Sequence, residues 1–230
     1  MRSFARVIGP TALAALGCLL AGCGQQDRPK TPVTASIGSG DAPESAVPSG
    51  EQRTLRTRLD PLHPRVKIST SLGDIVVRLD AERAPMTVKN FLFHAGNGHY
   101  EGTIFHQVIR DYVAVGGGYD VNLVEQAAHF AIRNEAYNRL PNKRGTIAMA
   151  RQAEVIDSST CQFFFNLADN DQLDHRSRDS AAEFGYCVFG EVVEGLEVLD
   201  QMAKVPVADQ GDWSSVPVEP IVIRSIVPAP

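Results

Sequence analysis

Thr103-Ile104-Phe105-His106-Gln107-Val108-Ile109-Arg110-Asp111-Tyr112-Val113-Ala114-Val115-Gly116-Gly117-Gly118 joins two short runs of branched and aromatic residues through a polar pair. Such residues suit a pleated surface, so the stretch predicts two strands, Thr103–Ile109 and Tyr112–Val115. Working outward, the same kind of run recurs at Thr146–Ala150, Gln162–Asn166 and Tyr186–Val193. Upstream, Val66 and Ile68, then Ile75, Val77 and Leu79, alternate with polar residues around Leu72-Gly73-Asp74. That pattern is two strands and a tight turn. Pro220–Val227 closes the chain as a further alternating strand. Only two segments carry helical spacing. Pro85 opens the first, where its missing N–H does no harm. Val88, Phe91, Leu92 and Ala95 then form one apolar stripe, stopped by Gly96. The second runs from Leu196 to Lys204, with Pro206 beyond its end. Many short strands and two helices predict a mostly β domain built as a closed antiparallel barrel.

The chain has 230 residues, 43% hydrophobic and 21% charged, with a formal net charge of −5. That is enough apolar material for one sizeable core. A nucleic-acid binder needs a basic stripe to displace counterions from phosphates, and none is present. His94, His99 and His106 fall close together but fit no ligand spacing, so no metal is expected. Gly116-Gly117-Gly118 lacks the following helix and Lys of a phosphate loop. Asp169-Asn170-Asp171 lacks the downstream Gly and Glu of a calcium loop. No Gly-x-Ser-x-Gly elbow occurs, and no cofactor is expected.

The N-terminal end reads as targeting. Arg2 and Arg6 precede an uncharged, largely apolar run from Val7 to Leu20. It is too short to span a membrane and fits an export signal. Leu20-Ala21-Gly22-Cys23 resembles the bacterial lipobox, in which cleavage exposes a Cys that takes a diacylglyceryl group. The expectation is a signal peptide over residues 1–22, lipidation at Cys23, a flexible Gly/Pro/Ser/Ala-rich tether over 23–64 and a domain over 65–230. An envelope lipoprotein is expected, and by resemblance to enterobacterial sorting Gly24 rather than Asp after the Cys implies the outer membrane facing the periplasm. Cys18 leaves with the signal. Cys161 and Cys187 remain, either as a disulfide or as two separate buried thiols.

Phe105-His106 with the following glycines, Asn142-Lys143-Arg144-Gly145-Thr146-Ile147-Ala148-Met149-Ala150-Arg151, Cys161-Gln162-Phe163-Phe164, Leu173-Asp174-His175 and Val188-Phe189-Gly190-Glu191 stand in an order that resembles the cyclophilins. The bacterial periplasmic type of these peptidyl-prolyl cis–trans isomerases is the most similar. The resemblance runs from about Arg65 to Val227. It implies an eight-stranded antiparallel barrel capped by two helices. It also implies that Cys161 and Cys187 lie on neighbouring strand segments.

Rotation about a peptide C–N bond faces a barrier of about 18–20 kcal/mol from resonance. An isomerase must hold the proline ring and stabilise the twisted amide, whose nitrogen regains a lone pair. A donor aimed at that nitrogen binds the transition state more strongly than the ground state. The resemblance places Tyr112, Val113, Phe164 and Leu173 in the proline pocket. Ala150, Arg151 and Gln162 match the wall that binds substrate backbone, and Tyr186 matches the rim. Two positions depart from the family. Gln107 replaces the principal catalytic Arg, offering a neutral N–H without the charge or the five-donor fork. Val115 replaces a Gln that bonds the substrate backbone. Arg151 is a candidate for binding and a weaker one for replacing the missing charge. The sequence thus predicts a monomeric isomerase of reduced activity that binds proline-containing polypeptides and assists folding of exported proteins. The alternative is a membrane-anchored binding or holding module without useful catalysis.

Overall fold

The computed structural model describes residues 60–230. The signal peptide, Cys23 and the tether up to residue 59 lie outside the described residues.

β1 (Arg65–Thr70) and β2 (Asp74–Leu79) form the expected hairpin. Val66 faces Val77 and Ile68 faces Ile75, and all four are buried. Thr70 closes the turn: its N–H and its hydroxyl both donate to the Gly73 carbonyl, at 2.9 and 2.8 Å. Gly73 has φ +142°, and a Cβ there would come within 2.9 Å of Val198. Residues 60–64, assigned from sequence to the tether, are bonded to the domain. Leu79 N–H donates to the Pro64 carbonyl at 2.9 Å and Ala81 N–H to that of Leu62 at 2.8 Å.

α1 (Pro85–Gly96) buries Thr87, Val88, Phe91 and His94. Leu92 and Ala95 pack partly against the same core. Its N-cap residue, Ala84, has no side chain to cap the orphan amides. Glu135 does so from 48 residues away, accepting from the Thr87 N–H at 2.9 Å and the Thr87 hydroxyl at 2.7 Å. A carboxylate suits the positive end of a helix.

The remaining barrel strands are β3 (Ile104–Ile109), β4 (Val113–Gly116), β5 (Thr146–Met149), β6 (Phe163–Asn166), β7 (Val188–Glu194) and β10 (Ile221–Ala229). Their order is β1-β10-β3-β4-β6-β5-β7-β2, closed and antiparallel throughout. The expected mostly β, eight-stranded barrel is therefore what forms. The interior is aromatic. Phe163 stands edge-on to Phe91 at 5.5 Å and to Phe105 at 5.9 Å. A one-turn helix, α2 (Ala181–Phe184), adds to the two helices expected. α3 (Leu196–Met202) is the second of those two. A ribbon of β8 (Val207–Gln210) and β9 (Trp213–Pro217), absent from the sequence expectation, forms a two-stranded sheet of its own.

Of the two alternatives left open for Cys161 and Cys187, the structure has the separate thiols. Both are free, buried thiols. β5 lies between β6 and β7, so the two residues do not precede neighbouring strands. The Thr87 hydroxyl lies 3.5 Å from Cys187 Sγ. Burial pushes the Cys161 thiol up to about 11 and the Cys187 thiol up to about 12.

Candidate active site

Strand register builds the site. Gln107 faces Val115, Val115 faces Phe164, Phe164 faces Ala148 and Ala148 faces Val188. Directly paired residues share a face of a sheet, so these five form one row across β3, β4, β6, β5 and β7. Their chain neighbours Ala114, Phe163, Phe165, Ile147 and Phe189 fill the interior. The row is consequently on the outer wall. Val113 and Leu173 join its apolar part, with Tyr112, Leu140, Ala150 and Tyr186 packed around it. The four residues assigned to the proline pocket are thus brought together.

Loops at the pocket edge are held by a buried amide network. Asn170 Nδ2 donates to the Tyr112 carbonyl at 2.9 Å and to Asn166 Oδ1 at 2.8 Å. Asn166 Nδ2 donates to Asn142 Oδ1 at 3.2 Å, and Asn142 N–H donates to Asp174 Oδ1 at 2.7 Å. The Leu173 N–H donates to the Asn170 carbonyl at 2.8 Å, and its own carbonyl accepts from the Tyr186 N–H at 2.9 Å. Tyr112 and Leu173 are set by this network, whose members sequence reasoning did not single out.

Tyr186 stands edge-on to Phe164, with centroids 5.7 Å apart. The Arg151 guanidinium lies over its ring at 4.5 Å. Burial raises the Tyr186 phenol, against the opposing pull of Arg151. Arg151, read from the sequence as a candidate for binding, is engaged with the protein itself. It is buried, and its donors go to backbone carbonyls: Nε to Gly185 at 3.0 Å, Nη1 to Gln152 at 2.9 Å and Ala153 at 2.8 Å, and Nη2 to Ala181. These bonds tie it to the segment carrying α2 and Tyr186. Gln162 lies beside Gly118 instead of in the apolar cluster. A Cβ on Gly118 would meet the Gln162 side chain at 2.4 Å, so only a bare backbone fits beneath it.

The polar end of the row sits under the ribbon. The β3–β4 register shifts between Phe105 and Gln107. Phe105 and Val108 stay in the interior cluster, while His106 and Gln107 both meet β9. His106 is 1% exposed, packed edge-on to Tyr119 at 4.8 Å and to Trp213 at 5.6 Å. Neither ring nitrogen has a hydrogen-bond partner, and burial lowers the imidazole to about 4. Gln107 is 5% exposed, and its Nε2 donates to the Ser214 carbonyl at 3.2 Å and the Ser214 hydroxyl at 3.1 Å. Trp213 and Ser214 were missed from sequence. The available signal was Gly211-Asp212, a turn pair flanked by Val207 and Val216.

A family model described as cyclophilin type peptidyl-prolyl cis-trans isomerase/CLD matches residues 65–227. The chain belongs to this family. Its activity is peptidyl-prolyl cis–trans isomerisation. It is 48% identical over 160 residues to peptidyl-prolyl cis-trans isomerase A of Dickeya dadantii, covering 70% of this chain and 82% of that one. It is 44% identical over 161 residues to peptidyl-prolyl cis-trans isomerase B of Escherichia coli, covering 70% and 97%. Among solved structures, a cyclophilin type isomerase from Cryptosporidium parvum aligns with TM-score 0.60 at 26% identity, over 73% of this chain and 98% of that one. That protein has also been solved in the presence of the dipeptide Ala-Pro, aligning with TM-score 0.59. In this isomerase the apolar part of the row is a surface against which a proline ring can pack. The polar end carries a neutral amide in the position where the family resemblance places an Arg.

Proposed function

We propose that this isomerase turns over slowly on proline-containing segments of exported polypeptides, working as a monomer from a lipid anchor at Cys23. One observation carries the reading of low turnover. The residue at the family's catalytic position is Gln107, which ends the same outer row as Val115, Phe164, Ala148 and Val188. An outer row with apolar residues at the pocket positions and an uncharged residue at the catalytic position supports the reading of low turnover. Tyr112, Val113, Phe164 and Leu173 hold the proline ring. Isomerisation needs no metal and no nucleophile, only a ring held still and a donor at the prolyl nitrogen as its lone pair returns. A charge-assisted bond is roughly twice as strong as a neutral one, so a Gln is a weaker catalyst than an Arg there.

The test is Gln107→Arg in a protease-coupled assay on an X–Pro peptide. Removing such a donor typically costs on the order of 10²–10³ in rate, and restoring one should return a gain of that order. No gain would sink this reading of the site. A second reading is favoured by Val115, which cannot bond a substrate backbone: the module binds prolyl peptides without useful turnover. Saturable binding with a rate equal to the uncatalysed background would select it. The anchor rests on the signal and lipobox pattern at residues 1–23. Cys23→Ser should move the protein from the membrane to the soluble fraction.

A further inference from the structure

The polar atoms of Gln107 number three: two N–H groups and one carbonyl oxygen. The amide nitrogen is engaged by one residue. Nε2 donates to the Ser214 carbonyl at 3.2 Å and to the Ser214 hydroxyl at 3.1 Å. A backbone carbonyl can only accept, so the amide nitrogen must face it and the amide cannot be turned over. Oε1 is buried and has no hydrogen-bond partner among the described residues. An acceptor is the wrong group for a prolyl nitrogen whose lone pair is returning. The amide nitrogen of the residue at the catalytic position is therefore held toward the ribbon, away from a substrate, as long as Ser214 engages it.

We propose that Ser214 is a positioning residue of this isomerase, holding the Gln107 amide nitrogen at the ribbon and thereby limiting turnover. The inference rests on the reading above that Gln107 stands where the reaction needs a donor. Counting donors sharpens it. A guanidinium has five N–H groups, so giving two to Ser214 would leave three for the substrate. One contact thus has opposite consequences for two residues: it turns the single amide nitrogen of a Gln to the ribbon and would orient an Arg.

The experiment measures kcat/KM on an X–Pro peptide for the full-length chain in two backgrounds, Gln107 and Gln107→Arg, each with Ser214, Ser214→Ala and Ser214→Thr. Ser214 is exposed, so Ser214→Ala opens no cavity. Freeing one neutral hydrogen bond should raise the rate about 2–10-fold in the Gln107 background. The same substitution should lower it about 2–10-fold when residue 107 is Arg, because the fork loses an orienting partner. Ser214→Thr, which restores the hydroxyl, should return both rates to those seen with Ser214. A purely structural serine would move both backgrounds in the same direction, and that result, or no change with Gln107, overturns the assignment. If Gln107→Arg gives no gain, the reading of the site falls instead. The Ser214 assignment is then decided by the Gln107 background alone, upheld by a gain and overturned without one.

Discussion

Val115, Phe164, Ala148 and Val188 lie side by side across four strands, each placed by the ladder bonds of the barrel itself. Gln107 ends the same row, yet its side chain is held from outside, by a ribbon that pairs with none of the barrel strands. The apolar half of the site is thus part of the fold's cohesion. The polar half depends on a surface element whose contacting serine is exposed. Two neighbouring parts of one site should therefore respond differently to mutation. Pocket changes should cost stability and binding together, whereas changes at the ribbon contact should alter turnover and leave stability alone.

The largest effect tests the first half. Phe164 is buried in the outer cluster and packs on Tyr186. Phe164→Ala should cost about 3–5 kcal/mol of unfolding free energy in a denaturant titration, as truncated core aromatics do, and raise KM for prolyl peptides. A loss below about 1 kcal/mol would mean that the pocket is not coupled to the fold, and the contrast with Ser214 would collapse.

His106 extends the comparison to pH. Its folded value is about 4, against an ordinary 6.5, because burial disfavours the charged ring. Above pH 6.5 both states are neutral, and its contribution to stability is fully present. Between 6.5 and 4 the unfolded chain takes a proton that the folded chain refuses. Stability then falls by about 1.4 kcal/mol per pH unit, to a total of about 3 kcal/mol. His94 and His99 are also lowered chiefly by burial and push in the same direction. His106→Phe should flatten the acid limb measured at pH 7, 5.5 and 4.5 without removing it. An unchanged slope would show that the ring under Trp213 is hydrated in the native state.

The two halves were also unequally legible in the sequence. Strands β1 and β2 announce themselves because alternation at Val66, Ile68, Ile75 and Val77 is local and one face is fully buried. The pocket residues needed the family resemblance, since Phe163, Phe164 and Phe165 run through both faces of β6 without alternation. The ribbon left almost no trace. All four residues of β8 are exposed, so no apolar period marks it, and only the left-handed Gly211 at φ +59° betrays the turn. Ser214 meets Gln107 across 107 residues, a pairing that no local pattern encodes. The partners of Arg151 were illegible for a related reason: the carbonyls that hold it belong to backbone, which every sequence has.

A smaller effect tests what steadies the pocket edge. Asn170 is 2% exposed and bonds both the Tyr112 carbonyl and Asn166. Asn170→Ala would leave Asn166 Oδ1 without this donor and the Tyr112 carbonyl with the Leu167 N–H alone, for an expected loss of about 1–3 kcal/mol. Because the Leu173 N–H and the Tyr112 carbonyl both meet this residue, KM should rise more than kcat falls. Equal changes in both would place the network outside the binding step.

The smallest expected effect is none at all, and it concerns the thiols. Cys161 and Cys187 precede β6 and β7, which β5 keeps apart. Cys187 Sγ is near the Thr87 and Asn138 side chains, and the Thr160 hydroxyl contacts Cys161 Sγ. A bridge would have to pull both sulfurs out of these contacts and move a strand, although disulfide geometry tolerates only a few ångströms between the two Cα atoms. The thiolate is the reactive form, and burial holds both groups almost wholly protonated at neutral pH. Reductant should therefore leave the melting temperature unchanged, and an alkylating reagent should label these two cysteines only after denaturation. A reductant-sensitive melting temperature would restore the bridge, and with it a covalent clamp between the strand carrying Phe164 and the segment carrying Tyr186. The pocket would then owe its rigidity to an oxidising compartment instead of to packing.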